Sequence, residues 1–419
     1  MKVLWLCNIV LPDFSQEFGI KRNPFGGWIT GMLHELERRK DIDICLCFPI
    51  MDKARLKNGT CNGHVYYTFL CDMDAETYNA EMIEMFEEIL EKSKPDIVHI
   101  WGTEYSHTGA MLQACSEKGI LNRAVINIQG LVSVYSKHYL SGIPEEIQKF
   151  KCENGKSIEE EKIIFEKHGK CEIESIRMVR HVIGRTEWDR ACVGTINPMV
   201  DYHFCNEILR DMFYKEAGTW RYEECHKYSI FVSQASYPIK GFHYLLEALS
   251  IVIRSFPDTQ VYVAGADVLA EKQKHSYGFY LNKLIVQFDL ADHITFLGNI
   301  MEEQMVRQYK DANVFVSPST IENSPNSLRE ARMIGVPSVV SYVGGAYSGI
   351  DFGMDGFLYP HDEPVLLAYY INKVFENEDN LCMRFSENSV KKVLKENGAF
   401  KVADSNVAIY KEILEKDGM

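Results

Sequence analysis

The chain has no run of about eighteen apolar residues, so no segment reads as a membrane-spanning helix. Positive charge is in short supply. Lys and Arg number 45 against 59 Asp and Glu, and the net charge of −14 argues against nucleic acid as a partner. An anionic ligand must therefore be met by local positive groups and not by the overall field. The twelve cysteines are scattered without a CxxC pair, and Cys45 and Cys47 share one strand face. Reduced, buried thiols in a cytoplasmic protein are the reading. Neither the GxGxxG fingerprint nor the Walker P-loop occurs, which counts against an NAD enzyme or an ATPase. Low-complexity segments and short-period repeats are absent. Met1 to Cys7 lacks a charged leader and a small-residue cleavage site, so it reads as a buried first strand and not as a signal peptide.

What is present is alternation. Strand candidates at Lys2 to Ile9, Ile42 to Phe48, Val65 to Leu70, Asp96 to Ile100 and Val125 to Ile128 are interleaved with helical stretches at Trp28 to Arg38 and Ala80 to Glu91. This βαβ order predicts parallel sheets covered on both faces. Charged helical material from Ile143 to about Arg180 interrupts the series before His181 to Arg185. A second series follows at Tyr228 to Ser233, Gln260 to Ala264, Asp292 to Leu297, Val314 to Ser317 and Ser338 to Val343. At 419 residues there is room for two domains with separate cores. The expected division is residues 1–205 with a helical insertion at about 143–180, then 206–399, then a terminal helix over 400–419.

The most informative stretch is Ile321-Glu322-Asn323-Ser324-Pro325-Asn326-Ser327-Leu328-Arg329-Glu330-Ala331. Before it, Ala312 to Ser319 reads as a short buried strand stopped by Pro318; after it, Leu328, Ala331 and Ile334 recur at helical spacing up to Gly335. A strand, a turn and a helix start aim backbone N–H groups outward, and such an N-terminus favours phosphate. Glu330 falls about two turns below Glu322 on the same face. Carboxylates beside a phosphate more plausibly accept hydrogen bonds from hydroxyls, and a ligand with both phosphates and hydroxyls is a nucleotide-sugar.

These glutamates resemble the paired-glutamate motif of the family-4 retaining glycosyltransferases, which have the GT-B fold. Flanking segments follow the family's order: Ile294 to Gly298, Tyr309 to Ser319, Gly335 to Val340, Gly344-Gly345, and Asp355 to Leu358. The resemblance is strongest over roughly 229–360. It implies an α/β architecture of two Rossmann-like domains whose parallel sheets face across a deep cleft. The first domain would bind the acceptor and the second the nucleotide-sugar, the terminal helix would cross back to the first, and the cleft would close over both substrates.

Residue by residue, the resemblance implies that Glu330 binds the ribose hydroxyls and Glu322 a hydroxyl of the transferred sugar. Backbone N–H groups from Asn323 to Ser327 would meet sugar and phosphate, with Asn326, Ser327 and Leu328 opening the donor-binding helix. Lys240 resembles the lysine that neutralises the leaving diphosphate. The family usually has an arginine earlier in this loop, and Ser233 to Ile239 contains none, which puts a two-cation clamp in doubt. Gly298 stands ahead of the nucleotide-base loop. Gly26-Gly27 suits either a bare helix-entry turn or close approach of phosphate or sugar, and resemblance favours the second. Trp101 stands where relatives carry a histidine near the reaction centre, so Glu104 and His107 become the first domain's catalytic candidates. His99 alternates into the sheet and reads as a core histidine. Gln129-Gly130 suits acceptor contact or a buried loop amide, and Arg185 a structural or functional role; Thr186 is a candidate cap ahead of Asp189.

Asp72-Met73-Asp74 spells the metal-binding DxD of the other glycosyltransferase fold, but nothing around it resembles that fold. No metal and no cofactor is expected. The donor would be UDP-, GDP- or ADP-linked, and the acceptor a glycan, a lipid-linked glycan or a small molecule, with bacterial surface polysaccharide synthesis the best-fitting role. Membrane contact would be at most peripheral, at the inner face of the cell membrane. A nucleotide-sugar 2-epimerase, a phosphorylase and a non-catalytic sugar-binding relative stay open.

Overall fold

The computed structural model describes residues 1–22, 26–72, 76–153, 155–270 and 273–418. Fourteen strands form two sheets among these residues. The first is built from β1 (Lys2–Cys7), β2 (Asp43–Ile50), β3 (Gly59–Cys61), β4 (His64–Leu70), β5 (Ile97–Trp101), β6 (Ala124–Asn127), β7 (His181–Gly184) and β8 (Asp201–Phe204). Their spatial order is β3-β4-β2-β1-β5-β6-β7-β8, parallel throughout except for the β3–β4 pair. The second sheet holds β9 (His226–Val232), β10 (Gln260–Ala264), β11 (Ile294–Gly298), β12 (Ala312–Ser317), β13 (Ser338–Ser341) and β14 (Phe357–Tyr359). It is wholly parallel, in the order β11-β10-β9-β12-β13-β14. Val3 to Cys7 in β1, all of β5 and all of β12 are buried, as strands covered by helices on both faces must be. Parallel order gathers the strand ends, and the loops that follow them, along one edge of each sheet.

The chain divides into two compact units: Met1–Val134, Ile164–Arg210 and the residues from Asn397 onward in one, Tyr135–Ile163 and Asp211–Glu396 in the other. The sequence reading keeps all of 143–180 with the first unit, whereas residues up to Ile163 pack within the second. Hydrogen bonds give the reason. His243 Nε2 meets Ser141 O at 3.1 Å, Thr320 Oγ1 donates to His138 O at 3.3 Å, and Ser276 Oγ donates to Lys156 O at 2.7 Å. In the first unit the helix Ala399–Asp417 brings Tyr410 under β1 and β5, where its hydroxyl lies 3.3 Å from Trp5 Nε1 and 2.5 Å from His99 Nδ1. His99 is fully buried there, as expected of a core histidine. No disulfide joins the described cysteines, and no described helix is long and apolar enough to cross a membrane.

Candidate functional site

In the second unit, the loop after β9 ends in a tight turn, Pro238–Lys240, and enters the helix Phe242–Val252 through Gly241 at φ +64°. A Cβ at Gly241 would lie 1.9 Å from Pro318 O, so only glycine lets this loop press on the end of β12. Thr320 N donates to Ile239 O at 2.8 Å and fixes the contact. The result is an ion pair between Lys240 Nζ and Glu322 Oε1, with Ser319 Oγ donating to the same oxygen at 3.3 Å. Burial pulls the Lys240 ammonium down, but the Glu322 charge beside it holds it above its ordinary range.

Glu322 is clasped through its backbone as well. Gly345 N donates to Glu322 O at 2.9 Å, and a Cβ at Gly344 would stand 2.0 Å from that oxygen. Asn323 N donates to the Tyr135 hydroxyl at 2.9 Å, so this N–H, expected to serve the ligand, already has a partner. The helix Asn326–Ile334 begins after Pro325 with no side-chain cap, and its first backbone bonds run from Leu328 N and Arg329 N to Pro325 O. The N–H groups of Asn326 and Ser327 precede that ladder. One turn on, Tyr309 OH donates to Ser327 O at 3.0 Å and to Glu330 Oε2 at 3.3 Å. Glu322 and Glu330 are thus both more than nine-tenths buried, each oriented by a partner. Gly298 ends β11 at φ +69°, its carbonyl accepting from Gly265 N at 3.0 Å. The sequence reading missed Arg329, which donates to Ser324 Oγ at 2.5 Å and sets a guanidinium beside the glutamate loop, whereas the loop before Lys240 has no arginine.

In the first unit, Gly26 has φ +79° and caps the helix Gly27–Glu37. A Cβ at Gly26 would meet Ile9 Cδ1 at 2.5 Å, and one at Gly27 would meet Arg210 Cγ at 2.3 Å. The positive φ favours glycine at 26, whereas at 27 the close neighbour is a flexible arginine side chain that can shift. Asn8, at the end of β1, is the residue that organises the rest. Its Nδ2 donates to Glu104 Oε1 at 2.7 Å, while Thr103 N donates to Glu104 Oε2 at 2.8 Å. His107 Nε2 lies 2.7 Å from Asn8 Oδ1, and its Nδ1 lies 3.5 Å from Cys71 Sγ. An amide oxygen only accepts, so Nε2 carries the proton, and burial lowers His107 to a pKa of about 3 and keeps the ring neutral. His107 has no exposed surface and connects to the Glu104 network through Asn8. Burial also raises the Glu104 carboxyl. At Gly102, φ +111°, a Cβ would fall 2.4 Å from Asn8 Nδ2 and 2.5 Å from Glu104 Oε2.

Beside this network lies Glu172, which the sequence did not single out. It is fully buried and accepts from Thr103 Oγ1 at 2.8 Å, Val132 N at 3.1 Å, Ser133 N at 3.0 Å and Ser133 Oγ at 2.5 Å. Burial pushes it up to about 7 despite those donors. Trp101, 2% exposed, stacks on His99 with ring centroids 4.2 Å apart. Arg185 pairs with Glu207 and donates to Gln129 O at 2.8 Å, and Thr186 and Asp189 form a reciprocal helix cap. Met73 and Asp74 of the Asp72-Met73-Asp74 motif lie outside the described residues.

Residues 220–392 match the family described as Glycosyl transferases group 1. An uncharacterized glycosyltransferase of Methanocaldococcus jannaschii is 27% identical over 198 residues, 47% of this chain and 47% of its own length. The chain spans about half the length of the relatives it matches in sequence. Among solved structures, sucrose-phosphate synthase from Thermosynechococcus elongatus superposes with a TM-score of 0.72 at 15% identity, over 99% of this chain and 100% of that one. Anabaena HepE in complex with UDP and glucose gives 0.66 at 13%, over 98% and 99%. These structures share the fold.

Proposed function

Because the chain belongs to the group 1 glycosyltransferases, with the GT-B fold, we propose that it moves a hexose-type sugar from a nucleotide-diphosphate donor to an acceptor with retention of configuration. The carrying observation is that one sheet edge holds Lys240, Glu322, an uncapped helix start and Glu330 on contiguous, mutually braced loops. Lys240 and the N–H groups of Asn326 and Ser327 take the diphosphate, Glu322 a sugar hydroxyl, and Glu330 the ribose. Gly298 opens space for the base, and Leu328 packs the helix behind the phosphates. As the anomeric C–O bond breaks through an oxocarbenium-like state, negative charge grows on the leaving diphosphate, where these donors stabilise it. UDP is the first nucleotide to test, since HepE is described with UDP and glucose; GDP and ADP follow.

On the first unit, which we take as the acceptor side, Glu104 is oriented by Asn8 and Thr103 and serves the acceptor, and His107 positions Asn8. Gly26 and Gly27 bring the helix start of that unit to the substrate. The acceptor class is a glycan, a lipid-linked glycan or a small molecule, and a role in bacterial surface polysaccharide synthesis, at or near the inner face of the membrane, fits it best. Thermal shifts against UDP, GDP and ADP test the donor reading on wild type and Glu330→Ala. A nucleotide at 100-fold over its Kd should add about 2.7 kcal/mol to wild type and far less to the variant. No shift from any nucleotide contradicts the proposal.

A further inference from the structure

Lys240 and Glu322 are each assigned a donor group, yet each is held by the other. Both side chains are mostly buried, at 19% and 10% exposure, in an ion pair between the loops that follow β9 and β12. Those loops are locked backbone to backbone: Gly241 against Pro318 O, Thr320 N on Ile239 O at 2.8 Å, and Gly345 N on Glu322 O at 2.9 Å. Only side-chain motion can open the pair. Lys240 and Ser319 both bind Oε1 of Glu322, and Oε2 accepts no hydrogen bond from the described residues.

A nucleoside diphosphate without sugar would draw Lys240 toward its phosphates. It would leave the Glu322 charge uncompensated in a mostly buried site, facing a second anion. A nucleotide-sugar brings hydroxyl donors to the same place, and these satisfy the carboxylate when Lys240 turns away. Resting on the donor reading above, we infer that the Lys240–Glu322 pair makes the site prefer a nucleotide-sugar over the free nucleoside diphosphate. Once the sugar has been transferred, re-formation of the pair drives the product out.

Calorimetric titration of the full chain tests this with UDP and UDP-glucose, GDP and GDP-mannose, and ADP and ADP-glucose, following whichever pair binds. Glu322→Gln should bind the free nucleotide about tenfold tighter, ~1.4 kcal/mol, and lose the preference for the sugar conjugate. Plain charge repulsion predicts part of that gain, so Lys240→Gln decides. In its background Glu322→Gln should gain only that repulsive part, well short of tenfold, because no pair remains to be opened. A gain of the same size there overturns the inference, as does no gain in the single variant. Glu322→Asp keeps the charge but shortens the reach, and should still tighten the free nucleotide severalfold; unchanged affinity counts against the pair. If no nucleotide binds wild type, the donor reading falls and the inference with it.

Discussion

Glu172 shows how one buried carboxylate couples the first unit to pH. Its folded pKa of about 7 exceeds the ordinary 4.5, so the folded chain keeps a proton that the unfolded chain has lost between those values. Stability from this group is therefore full below about 4.5 and is lost as pH rises toward 7. Wild type should lose ~3 kcal/mol relative to Glu172→Gln between pH 4.5 and 7.5, measured by urea denaturation at each pH. A constant difference across the range would mean that the carboxylate is already ionised when buried. Nothing in the sequence marks Glu172, because its partners Thr103, Val132 and Ser133 lie 39 to 69 positions away. The same limit applies to His107. Its place after β5 was legible, but not that its ring turns inward against Phe69, with centroids 5.0 Å apart, to hold Asn8.

At the scale of elements, strands covered on both faces were legible because they must be largely apolar, as β1, β5, β10, β12 and the second half of β9 are. Short edge strands were not: β3, β8 and β14 have three or four residues each and little burial pattern to read. The β3–β4 hairpin did leave a local sign, Asn62-Gly63 with both φ positive, the pair that a tight two-residue turn favours. In the donor half, the glutamate loop was legible as a motif but its bracing was not. Gly344 carries that bracing, because a Cβ there would sit 2.0 Å from Glu322 O. Gly344→Ala should cost about 2–4 kcal/mol and weaken nucleotide binding. Gly353 has φ +74° but nothing within 4 Å, so Gly353→Ala should cost only about 1–2 kcal/mol and leave binding alone. Denaturant titration with and without nucleotide checks both. Equal costs would mean that the left-handed backbone alone, and not contact with Glu322, requires the glycine.

For the whole molecule, the family match covers 220–392, and that is also where the sequence was most readable. A diphosphate and a ribose demand fixed positive and hydrogen-bonding groups whatever the acceptor, so the donor half carries a recurring pattern. An acceptor imposes no such common demand, and in the first unit the Asn8–Glu104 network emerged only from the fold. The net charge of −14 sharpens the point: the bulk field repels an anionic donor, and binding depends on Lys240 and a helix start at close range. The most direct measurement is proton NMR of the full chain with α-linked nucleotide-sugars and a panel of glycan acceptors. Released nucleoside diphosphate with an α-configured glycoside, abolished by Lys240→Ala and by Glu322→Ala, is the expected result. A β-configured product, a 2-epimerised nucleotide-sugar, or turnover undiminished in both variants would contradict retaining transfer at this site.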